Sequence, residues 1–277
     1  MPYKTVLVHI DSTPRCAARV DLALTIAKQH GGRVHACMAQ LDPAKSMIDP
    51  VHRASDRLKQ EFERVKEDVT ARAEAEGVEV RFSMSPLVTS ANVIHYLVRA
   101  ARHADLVVVG QYDRETDKGI VPEDMTEQAI LNAGRPVLVV PYAGNFPKLT
   151  DHVMVAWNAG REAARALSDG MPLLAASRKA SVLVIRGPNA EGEAAGPGYD
   201  TDEVAHFLAG HGVTCDLRTA TAEQIGIVDM LLSRAADESV TLLLMGAHGH
   251  YGFPHILRGG VTRDMLRQMT VPVLFSH

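Results

Sequence analysis

The residues best placed to do chemistry lie together near the end of the chain. The stretch Met245-Gly246-Ala247-His248-Gly249-His250-Tyr251-Gly252-Phe253-Pro254-His255-Ile256-Leu257-Arg258-Gly259-Gly260-Val261-Thr262 joins an apolar run to an amphipathic one. Glycine tolerates positive φ and lets a ligand approach the backbone closely. Free N–H groups at a helix start, with the helix dipole behind them, suit an anion such as phosphate. Gly246 and Gly249 end a strand, and Gly259 and Gly260 open a helix that runs to about Met269. Thr262 adds a hydroxyl donor. An isolated glycine pair would only make a loop and a cap. Four glycines spanning a strand end and a helix start point instead to a nucleotide phosphate. Two commoner phosphate loops are absent: there is no G-x-x-x-x-G-K-[ST] and no G-x-G-x-x-G after a first strand. Asn158, at the end of an earlier strand, sits where an amide could reach a base or ribose.

The elements that must position these residues occur twice. Thr5–Ala27 (TVLVHIDSTPRCAARVDLALTIA) and His152–Leu174 (HVMVAWNAGREAARALSDGMPLL) each read as apolar run, polar turn and Ala-rich amphipathic helix. Aligned on Val6 and Val153, the offset is 147, and Asp11 faces Asn158. Near the ends of the halves, DLVVVG…RPVLVV and TLLLMG…TVPVLFS align at an offset of 136, with Gly110 on Gly246 and Pro136 on Pro272. The first half is therefore 11 residues longer in its middle, which the charged segment Arg53–Glu76 accommodates as a longer helix. The second half has the Gly/Pro-rich segment Gly187–Gly198 there, expected to be a mobile loop. A period near 140 is too long for a solenoid unit and means two copies of a domain. The joint is expected near Tyr142–Pro147, giving domains 1–145 and 146–277.

Within each copy strands alternate with helices. Strands are expected near Thr5–Ile10, Arg33–Ala39, Glu79–Ser83, Asp105–Gly110 and Val137–Pro141. In the second copy they fall near His152–Trp157, Ser181–Arg186, Thr214–Thr219, Leu242–Ala247 and Val271–Ser276. Helices of the first copy are expected near Arg15–His30, Val51–Glu76, Ala91–Arg102 and Asp124–Asn132. Uniformly apolar runs such as Leu106–Val109 and Leu242–Met245 suit parallel strands covered on both faces. The alternation predicts an open, doubly wound α/β sheet, which binds ligands at strand carboxyl ends where strand order reverses.

At these residues the sequence resembles the universal stress protein family in its tandem, two-domain form. Gly246 is followed after two residues by Gly249, after nine more by Gly259, then by Gly260-Val261-Thr262. This matches the family's G-x2-G-x9-G-[S/T] pattern, with Gly260 in place of the hydroxyl residue. The family's acidic residue at the first strand corresponds to Asn158 in the second copy and to Asp11 in the first. The resemblance implies two tandem flavodoxin-like or Rossmann-like domains, each an open parallel five-stranded sheet with helices on both faces. It further implies ATP binding, with Mg²⁺, and dimeric packing through the last strands, as an intrachain pseudo-dimer or a homodimer. The site residues carried over are Asn158, Met245, Gly246, His248, Gly249, Gly259, Gly260, Val261 and Thr262. A sensor or regulator role in a stress response also follows from the resemblance.

The first copy departs from that pattern. At the offset of 136, Asp113 replaces Gly249, Glu123 replaces Gly259 and Asp124 replaces Gly260. Three carboxylates would repel phosphates, so the first copy is expected not to bind ATP in the family's manner. They could hold a divalent cation, but a solvated loop and helix start, where acids are favoured, is the preferred reading. Two rival functions stay open: a slow ATP hydrolase using His248, His250 or Arg258, and a structural module with both sites vestigial. No catalytic residue is assigned.

The remaining signals are weaker. His250 and His277 could hold zinc with a third ligand, but loop histidines beside a phosphate site are the preferred reading. His9, His35 and Cys37 fall on neighbouring strands and read either as a buried polar cluster or as a metal site. Trp157 reads equally as an adenine-side wall or as core. Cys16, Cys37 and Cys215 suit reduced thiols in a cytoplasm better than a disulfide framework. With 29 Lys+Arg against 33 Asp+Glu in 277 residues, there is no basic footprint for nucleic acid or a membrane surface. No apolar run reaches the ~18 residues of a membrane span, and the start of the chain lacks a secretory signal pattern. A cytoplasmic location is expected.

Overall fold

A computed structural model describes residues 2–44, 52–186, 201–221, 226–247 and 260–277. The chain divides into two compact units, 2–142 and 143–277.

The first unit runs β1 (Thr5–Ile10), α1 (Cys16–His30), β2 (Arg33–Met38), α2 (Asp56–Glu76), β3 (Val80–Met84), α3 (Ser90–Ala101), β4 (Leu106–Gly110), α4 (Met125–Asn132) and β5 (Val137–Val140). Its strands pair in parallel in the order β3-β2-β1-β4-β5. Val6, Leu7, Val8, Leu106, Val107 and Val108 are fully buried, as central parallel strands covered on both faces require. Steps from β1 to β3 move one way across the sheet, and steps from β3 to β5 move back. Right-handed crossovers then put α1 and α2 on one face and α3 and α4 on the other, and α1 packs on α2 and α3 on α4. The direction reverses between β1 and β4, which opens a crevice at their carboxyl ends.

Local chemistry sets the helix limits. α1 stops at Gly31, whose φ of +56° is the left-handed conformation a C-cap uses. Ser55 caps α2 by accepting the Leu58 N–H at 3.2 Å. α2 is the long helix expected for the charged segment, at 21 residues. Arg72 ties it to α1, donating to Asp21 at 2.8 Å while also holding Asp68.

The second unit runs β6 (His152–Trp157), α5 (Arg161–Asp169), α6 (Met171–Ala175), β7 (Lys179–Arg186), α7 (Thr201–Gly210), β8 (Cys215–Thr221), α8 (Ile227–Asp237), β9 (Leu242–Gly246), α9 (Gly260–Gln268) and β10 (Val273–Ser276). Its strands are also parallel, in the order β10-β9-β6-β7-β8. The reversal now lies between β6 and β9. β10 begins at Val273, two residues later than expected, just after Pro272, which has no N–H to pair. The loop expected over Gly187–Gly198 lies outside the described residues. Among those described, no helix is long and apolar enough to cross a membrane.

Candidate functional site

At the reversal point of the second unit a pocket of about 300 Å³ opens, a size at the lower end of small-ligand sites. β6 contributes Ala156, Trp157 and the adjoining Asn158; β9 contributes Met245 and Gly246; α9 contributes Gly260, Val261 and Thr262. The far wall is Leu183 and Ile185 of β7 with Ile227 and Leu231 of α8. The structure therefore brings together six of the residues expected from sequence: Asn158, Met245, Gly246, Gly260, Val261 and Thr262. His248, Gly249 and Gly259 lie outside the described residues, as do His250 and Arg258.

Each wall has a physical reason. Gly246 is required where it stands, because a Cβ there would lie 2.6 Å from the backbone of both Glu162 and Ala163. The tight seat of α5 on β9 depends on that missing carbon. α9 starts at the pocket, and the first N–H groups of a helix have no acceptor within it. The far wall is aliphatic, and no described lining residue carries a charge. The pocket thus offers an apolar wall beside a helix start, which suits a ring system carrying an anionic group.

The turn after β6 is strained. Ala159 has φ +58°, a conformation that places Cβ against the carbonyl oxygen and costs about 1–2 kcal/mol. The bend lets Asn158 Oδ1 accept the Gly160 N–H at 3.0 Å. Gly160 suits the turn, since a Cβ there would lie 3.0 Å from that same Oδ1. Trp157 lines the pocket, and its indole Nε1 is closed to solvent without a hydrogen-bond partner among the described residues.

The corresponding place in the first unit is filled by the protein itself. Asp11 and Arg19 are 1% and 3% exposed and form a buried ion pair through Asp11 Oδ2. Asp11 Oδ1 accepts from Thr13 N at 2.9 Å and from Thr13 Oγ1 at 2.6 Å. Arg19 also donates to His9 O at 3.2 Å. Burial works against the charged carboxylate, but Arg19 and His9 hold Asp11 below its ordinary pKa. Gly110 makes room for the guanidinium: a Cβ there would sit 2.8 Å from Arg19 Nη1. At the offset of 147, Arg19 corresponds to Ala166 in the second unit. One long cation thus fills the first crevice, and a methyl group stands at its counterpart.

The strand ends of the first unit are also laced together. Ser12 N–H donates to Gln40 Oε1 at 2.8 Å, and Leu41 N–H to Ile120 O at 2.7 Å. Tyr142 N–H donates to Gln111 Oε1 at 3.1 Å, and Arg15 Nη2 to Pro141 O at 2.9 Å. Of the three carboxylates, Asp113 accepts the Glu115 N–H and the Thr116 hydroxyl, both at 3.0 Å. Glu123 is exposed, 3.5 Å from Arg114, and Asp124 precedes α4 without bonding it through its side chain. These are turn and helix-start roles.

The other polar candidates resolve as hydrogen-bonded structure. His9 Nε2 donates to Ala39 O at 2.8 Å. Arg81 donates to His35 Nδ1 at 3.0 Å, so His35 Nε2–H faces Ser83 Oγ at 2.7 Å. Burial, aided by Arg81, lowers the His35 pKa to about 4. Burial pushes the Cys37 thiol up to about 12 and Cys16 to about 11, so neither is a ready nucleophile. His277 Nδ1 pairs with Ala247 O at 3.1 Å. Among the described residues, no group of three or more His, Cys, Asp or Glu could hold a metal ion.

Two parallel α/β units, the second with a pocket at its switch point against a helix start, define a tandem α/β protein. The chain belongs to the universal stress protein family, whose model matches residues 2–141 and 150–277. A universal stress protein from Archaeoglobus fulgidus DSM 4304 shares its fold, with 16% identity, 98% of this chain and 95% of that one covered, and a TM-score of 0.76. A functionally unknown protein from Pseudomonas aeruginosa PAO1 matches with 13% identity, 99% and 92% coverage and a TM-score of 0.65. Another Archaeoglobus fulgidus universal stress protein, in complex with dAMP, matches half of this chain and 98% of its own, with 19% identity and a TM-score of 0.35. Compared directly with curated protein sequences, the chain has no significant match.

Proposed function

We propose that the second unit binds an adenine nucleotide, ATP with Mg²⁺, and that the first unit has given up ligand binding for a structural or regulatory part. The pocket at the β6/β9 reversal carries this reading, because it joins an aliphatic slot to the start of α9. In this reading the base lies among Leu183, Ile185, Ile227 and Leu231, the nucleoside touches Asn158, and the phosphates meet Gly260, Val261 and Thr262. By their place in the glycine motif, His248, Gly249 and Gly259 would serve the phosphates as well. No described lining side chain is a carboxylate, so the phosphates rather than the protein would carry Mg²⁺ there. For the first unit, the support is the Asp11–Arg19 pair occupying the crevice.

The chain has one tryptophan, and it lines this pocket. Titrating ATP with Mg²⁺ while following Trp157 emission tests the reading. A saturable change, abolished in Gly259→Glu, supports it. No change, with no heat of binding in parallel calorimetry, refutes it.

A further inference from the structure

β8 is the outer strand of the second unit, and among the described residues nothing pairs with its free side. It runs for seven residues without a proline, and a free edge of that kind is a template for another strand. The outer strand of the first unit, β3, has only five residues, and beyond its end Arg53 bridges Leu87 in antiparallel. Among the described residues the second unit has no such bridge. The side chains of β8 are complementary to themselves. Asp216 and Arg218 share one face, are about half exposed and lie 3.3 Å apart, with Leu217 between them in the strand. If two copies of β8 pair antiparallel about Leu217, Asp216 stands opposite the partner's Arg218, and Arg218 opposite the partner's Asp216. Centring the pair on Asp216 or on Arg218 would oppose like charges, so the sequence selects one register. Charges on an edge normally hinder pairing, but here a second copy neutralises them. β3 has no such pattern: its one charge, Arg81, is engaged with His35 at 3.0 Å.

The helix over this edge carries a matching apolar group. α7 packs on β8 and buries Val204 and Leu208, while Phe207 on its flank is 43% exposed, its ring 4.5 Å from that of His211. A two-fold axis normal to the sheet leaves both copies of α7 on the same face, where the two flanks approach across the seam. We infer that β8 is an interaction surface for a second copy of this chain, which adds its own β8 antiparallel about Leu217. Leu217 and Phe207 form the apolar centre, and the exchanged Asp216–Arg218 pairs fix the register. The surface lies on the opposite edge of the second unit from β10, and the inference is independent of what the pocket binds.

Charge reversal with a compensating swap tests this surface. Self-association of the full-length protein is measured by sedimentation equilibrium, with the thermal midpoint as a check on folding. Asp216→Arg and Arg218→Asp each turn two attractive contacts into repulsive ones. Each should weaken self-association by about tenfold or more. The double variant Asp216→Arg/Arg218→Asp opposes unlike charges again in the same register and should return towards the parent value. Leu217→Cys should give a disulfide-linked dimer on mild oxidation, since residues directly opposite in an antiparallel pair lie within bridging distance. Three results would overturn the inference: a monomer at every concentration, self-association that neither single reversal weakens, or a double variant no stronger than the singles.

Discussion

Replacing Arg19 by Met examines the claim that the first crevice is filled by an internal ion pair. Asp11 would stay buried, with its Thr13 hydrogen bonds but without its cation. Removing one partner of a buried pair typically costs about 3–5 kcal/mol, because the other charge remains without compensation. At roughly 3 °C per kcal/mol for a unit of this size, the midpoint should fall by about 10 °C or more. The sign of the pH dependence is specific. In the parent protein Asp11 has a lowered pKa, so its stabilisation is full above the unfolded value of about 3.8 and fades only below it. In Arg19→Met burial acts without the guanidinium, so the Asp11 pKa rises, and protonation relieves the penalty as pH falls. The loss relative to parent should therefore shrink between pH 8 and pH 5. The further substitution Asp11→Asn should restore most of the loss, since it removes the orphaned charge and keeps an acceptor for Thr13. Urea unfolding followed by far-ultraviolet circular dichroism at the two pH values measures all three variants. A loss under about 1 kcal/mol at pH 8, or one that does not shrink at pH 5, would refute the reasoning.

Other outcomes follow from the same geometry. His9 and His35 both have pKa values lowered by burial, so they stabilise fully above the unfolded value of about 6.5. That contribution is lost as pH falls through the window below it, down to about 4 for His35. The expected slope is up to about 1.4 kcal/mol per pH unit per histidine, and His35→Gln should flatten the profile of urea midpoints. Gly246→Val should destabilise the second unit by about 1–3 kcal/mol, since its Cβ would press on the Glu162 and Ala163 backbone; the Trp157 response to nucleotide should be lost with it. Ala159→Gly should raise stability by about 0.5 kcal/mol, the relief of a positive φ less the added chain entropy of glycine. Ser55→Ala should lower stability by about 1 kcal/mol through loss of the α2 cap, read as a shift in thermal midpoint.

The alternation of apolar runs and amphipathic segments made the strands, the helices and the repeat legible in sequence, because parallel strands and their covering helices leave two distinct periodicities. The near wall of the pocket was legible too, as Gly246, Gly260 and Asn158 are unusual residues at element ends. Its far wall was not: Leu183, Ile185, Ile227 and Leu231 look like any core residues until β7 and α8 are placed beside β6. Arg19 was missed for a different reason. The resemblance marked Asp11 as the position of the family's acidic residue, but not that a cation eight positions on would fold back over the strand end to meet it. The available signal was a single arginine among Val20, Ala23 and Leu24, aligned with Ala166 in the second half. A charge on a buried helix face needs a buried partner; Asp21 is nearer in sequence but exposed, and Asp11 is the nearest buried acid.

Stoichiometry tests the division of labour between the units most directly. Calorimetric titration of ATP with Mg²⁺ into the full-length protein should give about one site per chain, with Trp157 emission saturating at the same ratio. Two equivalent sites, or one site whose occupancy leaves Trp157 emission unchanged and survives Gly246→Val, would contradict it.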